Sequence, residues 1–295
     1  MTLHERIEKD LKELFQGKPI SEAVRLPKKL QVSIRGLPQH FVGNPKADTV
    51  LVMLNPGGDS KQADHCFYCA SRCYNRASAK TFIRSYVREK QSFGRLDRTR
   101  PDPFDLKQAA FLRDWKDSGI NLPKRFTGIK DTDSKNGKLA AKEAVLMNKL
   151  QLELVPYCSR QFKTDLFAKN ARLCRQLFPF LETILEEIVS RRRQYVVFCS
   201  ALFESLFSEY EKCHHGSFSG LEGKPNKDES SGFKTRCRVI CIHYKNRSQK
   251  ALVAHTFPSR RLANNGSAMR KYGKFCFEEY QQAKKQCPDL KRRRT

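Results

Sequence analysis

Three short stretches hold residue types that can do chemistry, and each follows an apolar run. Residues 49–54 (Thr-Val-Leu-Val-Met-Leu) lead into Asn55-Pro56-Gly57-Gly58. An amide on a turn almost bare of side chains can hold a water, and the two glycines let the backbone approach a ligand closely. Glu153 precedes Leu154-Val155-Pro156-Tyr157, and His255 opens His255-Thr256-Phe257-Pro258-Ser259-Arg260-Arg261. A carboxylate accepts from an amino group, an imidazole passes a proton, and a Ser-Arg-Arg cluster suits phosphate. Each stretch also has a plainer reading. Asn-Pro-Gly-Gly reads as a helix-entry turn, a lone strand-end His as a structural hydrogen-bond partner, and Glu153 as an outward-facing or salt-bridged strand residue. In a fourth stretch, His65, Cys66, Cys69 and Cys73 have a spacing that can bind zinc. On one helix the same spacing gives a simple apolar face, so no metal or cofactor is expected.

The elements that must position these groups are legible as hydrophobic patterns. Leu3, Ile7, Leu11, Leu14 and Phe15 recur at helical spacing after Thr2, which predicts an amphipathic helix over 3–16. A continuous apolar run at 50–54, and three stretches of similar character at 150–155, 194–199 and 250–255, predict strands buried on both faces. Residues 237–244 alternate more and suit an extra or edge strand. Helical patterns fall at 138–149, at 168–193 (broken near Pro179), at 201–212 and at 268–285. Strands alternating with helices predict an α/β domain with a mostly parallel central sheet of about four strands and helices on both faces. Ligands of such sheets bind beyond the carboxyl ends of the strands, where all three stretches fall. Residues 88–138 and 216–235 read as polar insertions, the first with one short helix around Trp115, and 288–295 as a basic tail. The whole of 1–295 is expected to be a single domain.

Fifty-seven Lys and Arg against 31 Asp and Glu leave a net charge of +26. Such an excess is hard to hold on a folded domain unless a polyanion is the usual neighbour, and DNA or RNA fits better than an anionic membrane. No run approaches 18 apolar residues, and residues 1–15 lack a signal-peptide core, so an intracellular, DNA-associated monomer in the cytoplasm is expected. Eleven cysteines in a large basic chain fit reduced thiols better than a disulfide framework.

Together the three strand-end stretches resemble a family. Leu54-Asn55-Pro56-Gly57 looks like the Asn-Pro-Gly motif of the uracil-DNA glycosylase superfamily, especially its mismatch-specific and single-strand-selective branches. Leu154-Val155-Pro156-Tyr157 is similar to its middle strand, which carries the base-reading residue, and the 255–261 stretch resembles its closing His-Pro-Ser loop. The matches occur in family order over residues 48–270, although Thr256 and Phe257 intervene where the family writes His directly before Pro.

The resemblance implies a monofunctional DNA glycosylase that flips a base out of DNA and hydrolyses its N-glycosidic bond. Asn55 would hold the attacking water and His255 would donate to the leaving base. Glu153 stands where uracil readers carry Asn. A carboxylate accepts from the cytosine N4 amino group, which points to cytosine or a modified cytosine, such as the glucosylated hydroxymethylcytosine of viral DNA removed in antiphage defence. Phe67, Tyr68 or Tyr157 would stack on the base. Gly57, Gly58, Ser259, Arg260 and Arg261 would hold the DNA backbone, and Leu262 would fill the emptied stack. Some branches carry an iron–sulfur cluster, but with a different cysteine layout. The alternatives are a uracil or thymine-mismatch repair glycosylase, an RNA-directed one, or a non-catalytic nucleic-acid-binding module.

Overall fold

A computed structural model describes residues 1–55, 103–122, 141–159, 162–214, 226–228, 235–257 and 266–283, apart from positions 117, 142, 143, 146 and 169. In chain order these give helices α1 (Leu3–Phe15) and α2 (Ser21–Arg25), strands β1 (Phe41–Gly43) and β2 (Thr49–Met53), helix α3 (Pro103–Leu112) and strand β3 (Lys149–Glu153). Helices α4 (Asp165–Ala168), α5 (Ala171–Gln176) and α6 (Phe178–Ser190) follow, then β4 (Tyr195–Phe198) and α7 (Leu202–Cys213). Strands β5 (Asn226–Asp228), β6 (Thr235–Tyr244) and β7 (Arg247–Ala254) and helix α8 (Gly266–Gln282) complete the described elements.

The described strands form one sheet in the order β1-β3-β2-β4-β7-β6-β5. Its four central strands, β3, β2, β4 and β7, run parallel. β1 pairs antiparallel on one edge, and β6 and β5 pair antiparallel on the other. The sheet is therefore mixed rather than mostly parallel, with the expected parallel strands as its centre. β6 meets β7 across a tight turn at Lys245 and Asn246, both at positive φ (48° and 59°), the backbone that a two-residue hairpin connection requires.

Helices cover both faces because strand residues alternate between two apolar clusters. Val50, Val52, Leu150, Leu152, Val196 and Phe198 pack with α1, α6 and α7. Leu51, Met53, Tyr195, Val197, Leu252 and Ala254 pack with α3 and α8. α1 begins at a capping box in which Thr2 accepts from the Glu5 N–H and the Glu5 carboxylate accepts from the Thr2 N–H. The long pattern over 168–193 is two helices, broken at Leu177 with Pro179 in the first turn of α6.

The expected polar insertion over 88–138 is corrected in part. Its residues 103–112 form α3, whose Ala109, Ala110, Phe111 and Leu112 are all 0% exposed. α3 is buried nearly all round, so it shows no apolar stripe of the kind that marks a surface helix. Six described cysteines are free thiols, whereas Cys241 is disulfide-bonded, a departure from the expected reduced state at that position. No helix among the described residues is long and apolar enough to cross a membrane.

Candidate functional site

The carboxyl ends of β3, β2, β4 and β7 lie side by side. At about 4.8 Å per strand they span about 14 Å. Met53 and Glu153 are register partners, and the parallel pairing runs on past the strands through Leu154 N–H to Met53 O (2.9 Å) and Val155 N–H to Leu54 O (2.8 Å). Asn55 follows the last of these bonds and is half-buried. On the other flank, Cys199 N–H donates to Val52 O (2.8 Å), which sets the end of β4 beside Met53. Asn55 and Glu153 thus occupy neighbouring strand ends.

Glu153 is 5% exposed and lies on the α3 side of the sheet, so it is not outward-facing. It stands at the head of a buried polar ladder. Lys149 donates to the side-chain oxygens of Gln108 and Gln151 (2.7 Å to the latter), Gln108 Nε2 also donates to Gln151 Oε1 (2.9 Å), and Gln151 Nε2 donates to Glu153 Oε1. Lys149, Gln151 and Glu153 fall on one face because they alternate with Leu150 and Leu152. The ladder fixes the carboxylate at the strand end through chained hydrogen bonds in a low-dielectric interior.

His255 departs from its expected role. The residue before it, Ala254, faces α3 and α8, so His255 turns to the opposite side of the sheet edge. Its Nε2 lies 2.9 Å from Glu204 Oε1 on α7, and Arg238 NH1 is 3.5 Å from the same oxygen. Half-burial works to raise the Glu204 carboxyl, but the His255 and Arg238 contacts hold it below the ordinary carboxylate range. His255 is therefore engaged with Glu204 and does not share a face with Glu153. Tyr157 is a second correction. It is 1% exposed, donates its hydroxyl to Asp10 Oδ2 (3.0 Å) and meets Phe180 edge-on, on the α1/α6 side of the sheet. β3 ends at Glu153, so strand alternation no longer governs where Tyr157 points. It is a core residue, not an open stacking platform.

Phe257 takes the place left at the end of β7. Its ring packs edge-on against Phe111 of α3 (5.0 Å, 81°). The turn that carries it is pinned by three bonds: Arg236 N–H to Thr256 Oγ1 (3.0 Å), Thr256 N–H to Tyr272 Oη (3.2 Å) and Tyr272 O–H to Arg236 O (2.6 Å). Over the same ring sits Lys107, its Nζ 4.9 Å from the centroid and the residue only 5% exposed. Burial pulls this ammonium down to about 8, while burial pushes the neighbouring Cys199 thiol up.

Phe67, Tyr68, Gly57, Gly58, Ser259, Arg260, Arg261, Leu262 and the His65, Cys66, Cys69 and Cys73 set lie outside the described residues. Among the described residues no group of three metal-ligating side chains is assembled. Sequence reading missed Lys107, Gln108, Gln151 and Glu204. The alternation of Lys149, Gln151 and Glu153 with leucines was visible and marks a polar face, but nothing near Lys107 signals its burial.

Lys107 makes a stability prediction. Each tenfold step in proton affinity is worth about 1.4 kcal/mol. The fall from 10.5 to about 8 thus opposes folding by on the order of 3 kcal/mol below pH 8, where folded and unfolded chains both carry the proton. Between pH 8 and 10.5 the unfolded chain still binds a proton that the folded one has lost, so this destabilisation fades as pH rises. Lys107→Met is expected to be more stable than the wild type at pH 7, and the gap is expected to close toward pH 10.5. Urea unfolding of both proteins across that range reads it; a variant weaker than the wild type at pH 7 would show that the ammonium is favourably held.

Comparison with protein-family models, curated proteins and solved structures gives no significant match to this chain.

Proposed function

We propose that this chain is a DNA glycosylase of the uracil-DNA glycosylase type, acting on cytosine or a modified cytosine. The observation that carries the reading is the placement of Asn55 and the buried Glu153 at the ends of adjacent parallel strands, two residues and none past the Met53–Glu153 register pair. The net charge of +26 supports DNA as the partner.

Glycosidic cleavage to a base passes through an oxocarbenium-like sugar with negative charge growing on the departing base. The protein must hold a water, receive the base and exclude bulk solvent. Asn55 suits the first of these roles, since its amide can orient a water but cannot deprotonate it, and departure of the base then leads the reaction. Glu153 suits the second, because its ladder leaves the carboxylate fixed at the strand end, where it can accept from the N4 amino group of an extruded cytosine. The removed base leaves an abasic site.

The test is mass spectrometry of bases released by the purified chain from three DNAs, carrying uracil, thymine mismatches or glucosylated hydroxymethylcytosine, with alkaline strand cleavage to count abasic sites. Release of the cytosine-type base is expected. DNA binding without abasic sites on any substrate would leave a nucleic-acid-binding module. Glu153→Asn is expected to move the ratio of cytosine-type to uracil excision toward uracil by about 10–100-fold, the range that one directional hydrogen-bond pair discriminates. An unchanged ratio removes Glu153 from base reading.

A further inference from the structure

The two buried lysines of the α3 face differ in what meets their charge. Lys149 is 0% exposed and donates to the side-chain oxygens of Gln108 and Gln151. Lys107 is 5% exposed, and among the described residues its only close partner is the ring of Phe257. No carboxylate or hydrogen-bond acceptor among them offsets the loss of water. An ammonium held so is costly to the fold, and a lysine kept in such a setting is a nucleophile poised to react as the free amine. Its position adds the second observation. Phe257 and Cys199 place Lys107 at the carboxyl edge of β4 and β7, on the same side of the sheet as Glu153 and next to the strand that ends in Asn55. The amine therefore stands at the end where a flipped nucleotide would enter.

We propose that Lys107 is a Schiff-base nucleophile toward the ring-opened aldehyde of an abasic deoxyribose, making the chain an abasic-site lyase as well. The substrate assignment rests on the glycosylase reading above and departs from the purely hydrolytic, monofunctional enzyme expected from sequence. The amine lone pair attacks C1′ and forms the N–C bond; the carbonyl oxygen takes two protons and leaves as water, giving the imine. Loss of the C2′ proton to solvent then drives the C3′–O bond to break, and the 3′ phosphate departs with the electron pair. Water hydrolyses the imine, returning the lysine amine and an unsaturated aldehyde on the cut strand. With its affinity near pH 8, roughly a tenth to a half of the amine is free between pH 7 and pH 8.

The test uses the full chain and a synthetic oligonucleotide carrying a preformed abasic site, so it does not depend on base excision. With sodium cyanoborohydride, a covalent protein–DNA adduct is expected on a denaturing gel, with peptide mapping placing it on Lys107. Without reductant, strand nicking at least tenfold above the protein-free rate is expected. Lys107→Met and Lys107→Arg, the second keeping the positive charge, are both expected to lose the adduct by a hundredfold or more. Absence of an adduct on the wild type, or its mapping to another amine, overturns the proposal. Failure of base release from the modified DNAs sinks the glycosylase reading separately, because the abasic probe bypasses that step.

Discussion

Asn55→Ala is expected to lower base release by about 10²–10³-fold, with DNA affinity and fold stability close to those of the wild type. The magnitude is that of removing one preorganised polar group from a reaction centre. It appears in the rate because the interaction matters when the sugar becomes cationic and the water must already be aligned, a contribution made in the transition state rather than on binding. Asn55 is half-buried, and it follows the last ladder bond, Val155 N–H to Leu54 O (2.8 Å). Its truncation therefore opens no core cavity and breaks no strand pairing. Asn55→Asp, which keeps an acceptor for the water, is expected to recover at least tenfold of the loss. Single-turnover release of the base, measured beside DNA binding and urea unfolding, separates the readings. Equal rates for wild type and Asn55→Ala would return Asn-Pro-Gly-Gly to the status of a turn.

Gly273→Ala is expected to be the most destabilising small substitution in the helical layer. Gly273 lies in α8 where that helix crosses α3 at Phe111, and Trp115 Nε1 donates to its carbonyl oxygen (2.9 Å). A Cβ built there overlaps the Phe111 carbonyl oxygen and comes within 2.6 Å of the Phe111 carbonyl carbon. Backbone cannot swing aside as a side chain can, so the helices must part. Mid-helix alanine gains up to about 1 kcal/mol in propensity over glycine. Separating two packed helices costs about 3 kcal/mol or more, so the clash decides the sign. The damage reaches the candidate site, because Phe111 supports Phe257 and Tyr272 pins its turn. Gly17→Ala is the control: it has φ +71° but nothing within 4 Å of an added Cβ, so only conformational strain of about 1–2 kcal/mol is expected there. Urea midpoints for the two variants give the comparison, and equal midpoints would show that α3 and α8 do not touch at this crossing.

The central strands were legible from local pattern. Val50–Leu54 is an apolar run, and 194–199 and 250–255 are largely so, because a parallel strand between helices is buried on both faces; in 150–155 the leucines alternate with Gln151 and Glu153, whose polar face is buried as well. α1 was legible because one of its faces is wet, which imprints the 3.6-residue period, and its capping box is written within four residues. That Asn55 and Glu153 stand at neighbouring strand ends was not legible in this way: it is set by the parallel pairing of β2 with β3, strands separated by residues 54–148.

Other decisions belonged to the folded chain. Whether residues 103–112 are insertion or core depends on what covers them, and a helix enclosed by β3 residues and α8 carries no periodic mark of its own. His255 turned to Glu204, and Tyr157 to Asp10, because facing beyond a strand end is fixed by the partners that pack there rather than by alternation. The exposure of Lys107 is likewise a sum over Phe257, Cys199 and the sheet beneath, residues separated by scores of positions in the chain. Local pattern determines which segments become strands and helices. Burial, side-chain facing and the proton affinity of a buried amine are set by long-range packing, which a linear sequence does not display.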